Sequence, residues 1–385
     1  MAVVRPDINP ELLRWARERA GLSISDIVSV RMFRDYEKWE VGAAKPTLRQ
    51  LEAVARKTHA PLGYFFLSTP PEEELPIPDF RTVGDQPVMR PSPDLLDTVY
   101  TIQRRQEWAR NYLKEQGAEP LSFIGSTHIG QPYDEVAITM RKALGLEAGW
   151  ARTSSNWEAA LRNLRKAAES IGVFVVINGV VGNNTHRKLD PDEFRGFVLS
   201  DPLAPFIFIN GADAKAAQMF TIAHELVHLW LGENGVFNLE NLQPSSAKVE
   251  VFCNGVAAEF LVPKAALREN WARVSAADPY GALARHYKVS PLVIARRALD
   301  LSLVSRDDFF SFYTRYQERG REKQAKREPG GDFYKTQGTR VGVRFARTVI
   351  RAVKNGQLPY RDAYKLTGLK GGTFDKYAEK LGYTL

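Results

Sequence analysis

Cysteine is almost absent from this 385-residue chain: Cys253 stands alone. A single thiol excludes a disulfide within the chain and any zinc module built on four cysteines, so a bound metal must rely mainly on histidine and carboxylate. Histidine is scarce as well, six in all, and His59, His128 and His186 have no metal-like spacing with one another. No apolar run is long enough to span a bilayer, and residues 1–10 lack the apolar core of a signal peptide. The expectation is a cytoplasmic protein without membrane contact, long enough for two or three domains that each bury a core.

Acidic residues thin out toward one end. From residue 319 to 385 sixteen Lys or Arg face six Asp or Glu, so the overall charge of +8 belongs to this stretch, and residues 1–318 carry about −2. Such a balance suits contact with a polyanion, and equally a solvated face that keeps the chain soluble.

What is present is concentrated in Asp213-Ala-Lys-Ala-Ala-Gln-Met-Phe-Thr-Ile-Ala-His224-Glu225-Leu-Val-His228-Leu-Trp-Leu-Gly232. The stretch predicts one helix, with Asp213 as N-cap and Gly232 as its stop. It is apolar on most sides and so expected to be buried. His224, Glu225 and His228 are its only ionisable groups between Lys215 and Glu233. Residues four apart share a helix face, so the two imidazoles can hold one ion at about 2 Å per nitrogen. Glu225, one step round, is placed to reach a water on that ion. This is the H-E-x-x-H arrangement of zinc metallopeptidases, in which zinc lowers the pKa of its water to about 7 and the glutamate takes the proton.

A third ligand has to come from another element. A second helix is predicted to start at Ser245-Ser246 and to stop at Pro263, with Glu250, Asn254, Ala257 and Leu261 on one face. Glu250 suits the role; Glu259 on the same helix and Glu233 and Glu240 in the intervening loop compete for it. Cys253 reads as a small buried hydrophobe. His286 and Tyr287 are candidates to donate to an oxyanion, though outside the ligand set.

Along the chain, residues 8–68 predict short helices: Asn9-Pro10 opens the first, Gly21 closes it, Ser23 caps the second and Pro46-Thr47 starts another. Leu22-Ser-Ile-Ser-Asp-Ile27, Trp39-Glu-Val-Gly42 and Pro46-Thr-Leu-Arg-Gln-Leu51 resemble the XRE (lambda-repressor-like) helix-turn-helix family. Between them, residues 27–37 are compressed and mix Arg31 and Arg34 with Asp35 and Glu37, a departure that weighs against phosphate contact. Residues 71–93 form a proline-rich connector in which residues 78–82 are a candidate docking segment. Helices are expected over 94–116, 134–144 and 156–170, then strands over 173–177, 196–199 and 206–209. Residues 205–210 are the candidate edge strand for holding an extended substrate.

Residues 204–210, the helix around His224 and the Glu250-Val-Phe-Cys-Asn-Gly-Val-Ala-Ala-Glu-Phe-Leu-Val-Pro263 block together resemble the ImmA/IrrE metallopeptidases. The similarity runs over roughly residues 1–300 and includes the XRE-like head. It implies an α+β, mostly helical fold: a helix-turn-helix bundle over 1–70, the connector, a zincin-like peptidase domain over 94–318, and a basic helical region over 319–385. It also implies Zn²⁺ held by His224, His228 and Glu250, with Glu225 as catalytic base. Relatives of this type regulate transcription, immunity, stress responses or toxin-antitoxin modules, and some cleave a repressor. The expected partner is thus a protein substrate, with DNA as a second. The alternative is a non-catalytic DNA-binding regulator or antitoxin whose metal is structural or sensory; the intact Glu225 favours the enzyme.

In the basic region Arg340, Arg344, Arg347 and Arg351 recur at helical spacing beside an apolar set of Val341, Phe345, Val349 and Ala352. With Arg31 and Arg34 these four are the nucleic-acid candidates, able to grip successive phosphates without reading sequence. Shorter helices are expected over 360–366 and 373–381, and residues 317–331 as a helix end or linker.

Overall fold

The computed structural model describes residues 4–78, 82–83, 86–87, 91–237, 248–275, 277–324 and 333–384. The chain divides into two compact units, Met1–Pro76 with Met89–Val99, and Ile77–Val88 with Tyr100–Leu385.

The first unit is helical: α1 (Pro10–Arg19), α2 (Ile24–Val28), a 3-10 turn over Arg31–Phe33, α3 (Tyr36–Glu40), α4 (Leu48–Thr58) and a second 3-10 turn over Leu62–Phe66. Its starts lie where the side chains can cap them. The Asn9 side chain accepts from the Glu11 amide, and Ser23 with Asp26 and Thr47 with Gln50 form reciprocal capping boxes. Leu12, Leu13, Ile27, Tyr36, Trp39, Leu51, Val54 and Phe65 make the core. The Tyr36 hydroxyl donates to the Leu13 carbonyl at 2.8 Å, so this phenol is buried without an unmet donor. Arg17 grips Glu40 through two hydrogen bonds of 2.7 and 3.2 Å. Compression between residues 27 and 37 has a visible result: α3 is five residues long and buries Tyr36, Trp39 and Glu40, which leaves no long polar helix where a recognition helix would lie. Arg31 and Arg34 are exposed.

Helix α5 (Pro93–Glu115) belongs to the first unit up to Val99 and to the second from Tyr100. The second unit continues with β1 (Thr82–Val83) and β2 (Gln86–Pro87), paired antiparallel, then α6 (Tyr133–Ala143), α7 (Trp157–Ser170), β3 (Phe174–Asn178), β4 (Gly196–Leu199) and β5 (Phe206–Asn210). After these come α8 (Lys215–Leu231), β6 (Gly235–Phe237), α9 (Lys248–Leu261), α10 (Lys264–Arg273), α11 (Pro279–Tyr287), α12 (Pro291–Asp300) and α13 (Arg306–Gln324). The chain closes with α14 (Phe333–Arg340), α15 (Val343–Lys354), α16 (Tyr360–Thr367) and α17 (Gly372–Lys380). The whole is α+β and mostly helical, as the sequence predicts. Among the described residues no helix is long and apolar enough to cross a membrane.

Strands β3 to β6 form one sheet in the order β3-β5-β4-β6, with β3 and β5 parallel and the other neighbours antiparallel. Every residue of β3, β4 and β5 is buried, because both faces of the sheet are covered. Val175, Ile177, Val198, Ile207 and Ile209 share a core with α7 and α8. On the other face Phe174 and Phe206, register partners stacked at 4.7 Å, meet Phe345 of α15 at 6.1 and 5.6 Å.

Two sequence expectations change here. Residues 205–210 are not an edge strand: β5 lies between β3 and β4, so its main-chain groups are already paired on both sides. Strand β6, unforeseen, takes the edge next to β4, and its Val236 amide donates to the Pro78 carbonyl at 3.0 Å. Residues 79–81 of the expected docking segment lie outside the described residues, as do Ser245-Ser246, Glu240 and the Pro329-Gly-Gly stretch. The basic region, finally, is not a uniformly solvated stripe. Val341, Phe345, Val349 and Ala352 are buried as expected, but Arg344 donates to the Glu169 carbonyl at 2.9 Å and lies over the Phe174 ring, and the Arg340 carbonyl accepts from Arg105. Only Arg347 and Arg351 of the four are exposed. Gly342, with φ of +84°, lets this region come against β3; a Cβ there would lie 2.8 Å from the Val175 carbonyl oxygen.

Candidate metal centre

Helix α8 carries thirteen buried residues between Gln218 and Trp230 and ends on Gly232, which adopts the left-handed conformation at φ of +77°. Its N-cap is Ala214, not Asp213. The Asp213 carboxylate instead accepts from the Ala214 amide at 2.7 Å and faces Arg195 at 3.3 Å, while Gln218 ties back to the Gly211 and Asp213 carbonyls.

Within this apolar helix His224 and Glu225 are fully buried, and His228 and, on α9, Glu250 are 1 % exposed. The α8–α9 packing brings three of the four together. His224 Nε2 is 3.1 Å from His228 Nε2 and 3.2 Å from Glu250 Oε2, and His228 Nε2 is 3.2 Å from Glu250 Oε1. Ligands held tetrahedrally about one ion with bonds of about 2 Å stand about 3.3 Å apart, so two imidazoles and this carboxylate fit a single Zn²⁺. Asn254, one turn beyond Glu250, places its Oδ1 3.1 Å from His224 Nδ1. A proton on Nδ1 donates to it and leaves the Nε2 lone pair pointing at the cluster.

The electrostatics agree with that donor set. Burial pushes the His224 imidazole down, against the pull of Glu250, toward the neutral form that ligates. For Glu250 burial opposes ionisation, but the attraction of His224 and His228 outweighs it and brings the carboxyl down to about 2. Cys253 Sγ lies in the same cluster, within 4.8 Å of the histidine nitrogens. Burial, then the charges of Glu250, Glu225 and Glu233, push its thiol well up; Glu250, with an oxygen 3.2 Å from each imidazole, is the candidate third ligand. Glu259 is committed elsewhere: its carboxylate pairs with Arg297 and accepts from the Lys264 amide.

Glu225 stands apart from the cluster. Neither carboxylate oxygen has a hydrogen-bond partner among the described residues, and burial, then repulsion from Glu250, pushes the carboxyl well above its ordinary range. Its room comes from β4. A Cβ built on Gly196 would lie 2.7 Å from Thr221 Cγ2, 2.9 Å from Glu225 Oε1 and 3.0 Å from the Phe208 carbonyl oxygen. Sequence reading missed Gly196, since a glycine opening a strand carries no signal of what lies across from it. Gly196→Ala is expected to displace Glu225 while leaving the candidate ligands His224, His228 and Glu250 in place: an unchanged metal content by emission spectrometry, and any hydrolysis at least about 10-fold slower if Glu225 transfers the proton, since small displacements of such a group are costly. His286 and Tyr287 take other roles. The Tyr287 hydroxyl accepts from Asn270 at 2.8 Å, and His286 packs edge-on against Tyr287 near Arg152 and Lys288.

Residues 168–299 match the family model of the IrrE N-terminal-like domain, Peptidase_M78. The matched stretch spans β3 to α12 and contains every residue of the cluster, so the centre sits in a domain similar to a metallopeptidase family. The XRE-like head lies outside this match and rests on its sequence motifs. Residues 341–380 match a second model, a domain of unknown function (DUF8813), which covers α15 to α17. No curated protein matches the chain.

Proposed function

We propose that the chain is a cytoplasmic zinc-dependent endopeptidase and regulator that cleaves a repressor or another partner protein in a stress, immunity or toxin-antitoxin pathway. The observation that carries this reading is the convergence of His224, His228 and Glu250 beside a carboxylate, Glu225, that has no hydrogen-bond partner among the described residues. A divalent ion held there supplies Lewis acidity toward a water molecule and a peptide carbonyl. The chain does the rest. Asn254 fixes the tautomer of His224, and Glu225 takes the proton of the attacking water and delivers it to the leaving amine. Burial makes Glu225 more basic than an exposed carboxylate, which suits a group that must accept a proton near neutral pH.

A second reading, a DNA-binding regulator or antitoxin with a structural or sensory metal, draws support from the sealing of all four groups at 0–1 % exposure. Arg347 and Arg351, exposed on α15, are the better placed of the arginines for phosphate contact in either reading. The deciding experiment incubates the zinc-loaded chain with the repressor or toxin encoded beside it. Cleavage that stops with 1,10-phenanthroline and returns with zinc is the expected result; a chain that binds one zinc and leaves those proteins intact contradicts the peptidase reading.

A further inference from the structure

A cavity of ≈ 890 Å³ opens between α6, α9, α10 and α12, within the size range of small-molecule sites. Phe220 of α8, Val251 of α9 and Val293 of α12 give it an apolar lining. Its charges are unequal in standing. The Arg297 guanidinium is bound to Glu259 and to the Val262 carbonyl, both side chains of the pair being about nine-tenths buried, and Arg296 meets Asp300 at 3.0 Å. These pairs brace the wall. Lys264 and Arg268 also line the cavity, one turn apart on α10, and neither side chain has an ion-pair partner among the described residues. The remaining charge is Asp134 of α6.

We propose that this cavity binds a singly charged carboxylate with an apolar body, the carboxylate between Lys264 and Arg268 and the apolar part against Phe220, Val251 and Val293. Two unpaired cations favour an anion, the lining favours an alkyl or aromatic group, and Asp134 disfavours a di- or trianion through like-charge repulsion. The site stands independently of the peptidase reading. It nevertheless lies one side chain from the metal centre, because Asn254 lines the cavity and also holds His224 Nδ1.

Isothermal titration of the full chain with sodium octanoate tests the proposal, with octanamide as the neutral counterpart and inorganic phosphate as a bare anion. Octanoate is expected to saturate one site per chain, and both controls to bind at least about 10-fold more weakly, the ratio expected from losing one charged hydrogen bond. Lys264→Gln with Arg268→Gln, both on the exposed side of α10, is expected to weaken octanoate at least about 10-fold with an unchanged unfolding midpoint. Val251→Trp, which fills the apolar end and keeps both cations, is expected to weaken it as well. Octanoate binding that is absent at about 10 mM, matched by either control, or unaltered in both variants overturns the proposal.

Discussion

Glu225→Gln is expected to lower peptide hydrolysis by about 10²–10⁴-fold while the protein keeps its metal. The substitution preserves shape and removes only the ability to take a proton. His224, His228 and Glu250, the proposed ligands, are untouched. Stability should move the other way. Glu225 is a buried carboxyl without a hydrogen-bond partner among the described residues, raised by burial and by Glu250. Such a group favours folding only while protonated; as pH rises past its unfolded value the unfolded chain ionises freely and the folded one does not, so stability is lost. The Gln variant lacks this loss, and metal-free Glu225→Gln is expected to melt higher than the metal-free parent at pH 7. Activity, zinc content and melting point measured on the same preparations check both parts. A variant that hydrolyses at the parental rate removes Glu225 from catalysis, and one that fulfils every biological task without hydrolysis leaves the regulator reading.

Phe345→Ala is expected to destabilise the second unit by about 3–5 kcal/mol, the range for deleting a fully buried aromatic ring. Phe345 has no exposed surface and meets Trp108 of α5 at 5.7 Å as well as Phe174 and Phe206 of the sheet, with the Arg105 guanidinium 5.5 Å from its centroid. Its loss therefore opens a gap where a helix, two strands and a cation meet. Denaturant unfolding followed by tryptophan fluorescence gives the number. A change under about 1 kcal/mol would show that the gap collapses or that the C-terminal helices add little to this core.

Helix α8 was legible because an apolar helix that buries only three ionisable groups has few alternatives. Glu250 stood out by the same contrast on α9, but its choice over its competitors rested on family resemblance, and Asn254, on the same face, carried no role in the sequence although its amide meets His224. Strands β3 and β5 were visible as unbroken apolar runs, the mark of a sheet covered on both faces. Their order was not, since β5 pairs with β3 across a crossover and with β4 through an antiparallel return, and composition encodes neither neighbour. Gly235-Val236-Phe237 is too short to announce a strand. The spacing of Arg344, Arg347 and Arg351 is periodic on α15 as expected, but Arg340 closes α14 instead of sharing that helix, because the chain turns at Gly342, and periodicity cannot say that Arg344 lies over Phe174 while Arg347 meets solvent.

The closing of the sheet's margins has a consequence for how these molecules behave when crowded. On one side Gly342 and the helices around it come against β3; on the other, β6 is only three residues long and its Val236 amide is already engaged by Pro78. Among the described residues neither margin of this sheet offers a long row of unclaimed amides and carbonyls to template a foreign strand, which disfavours fibrillar stacking through it.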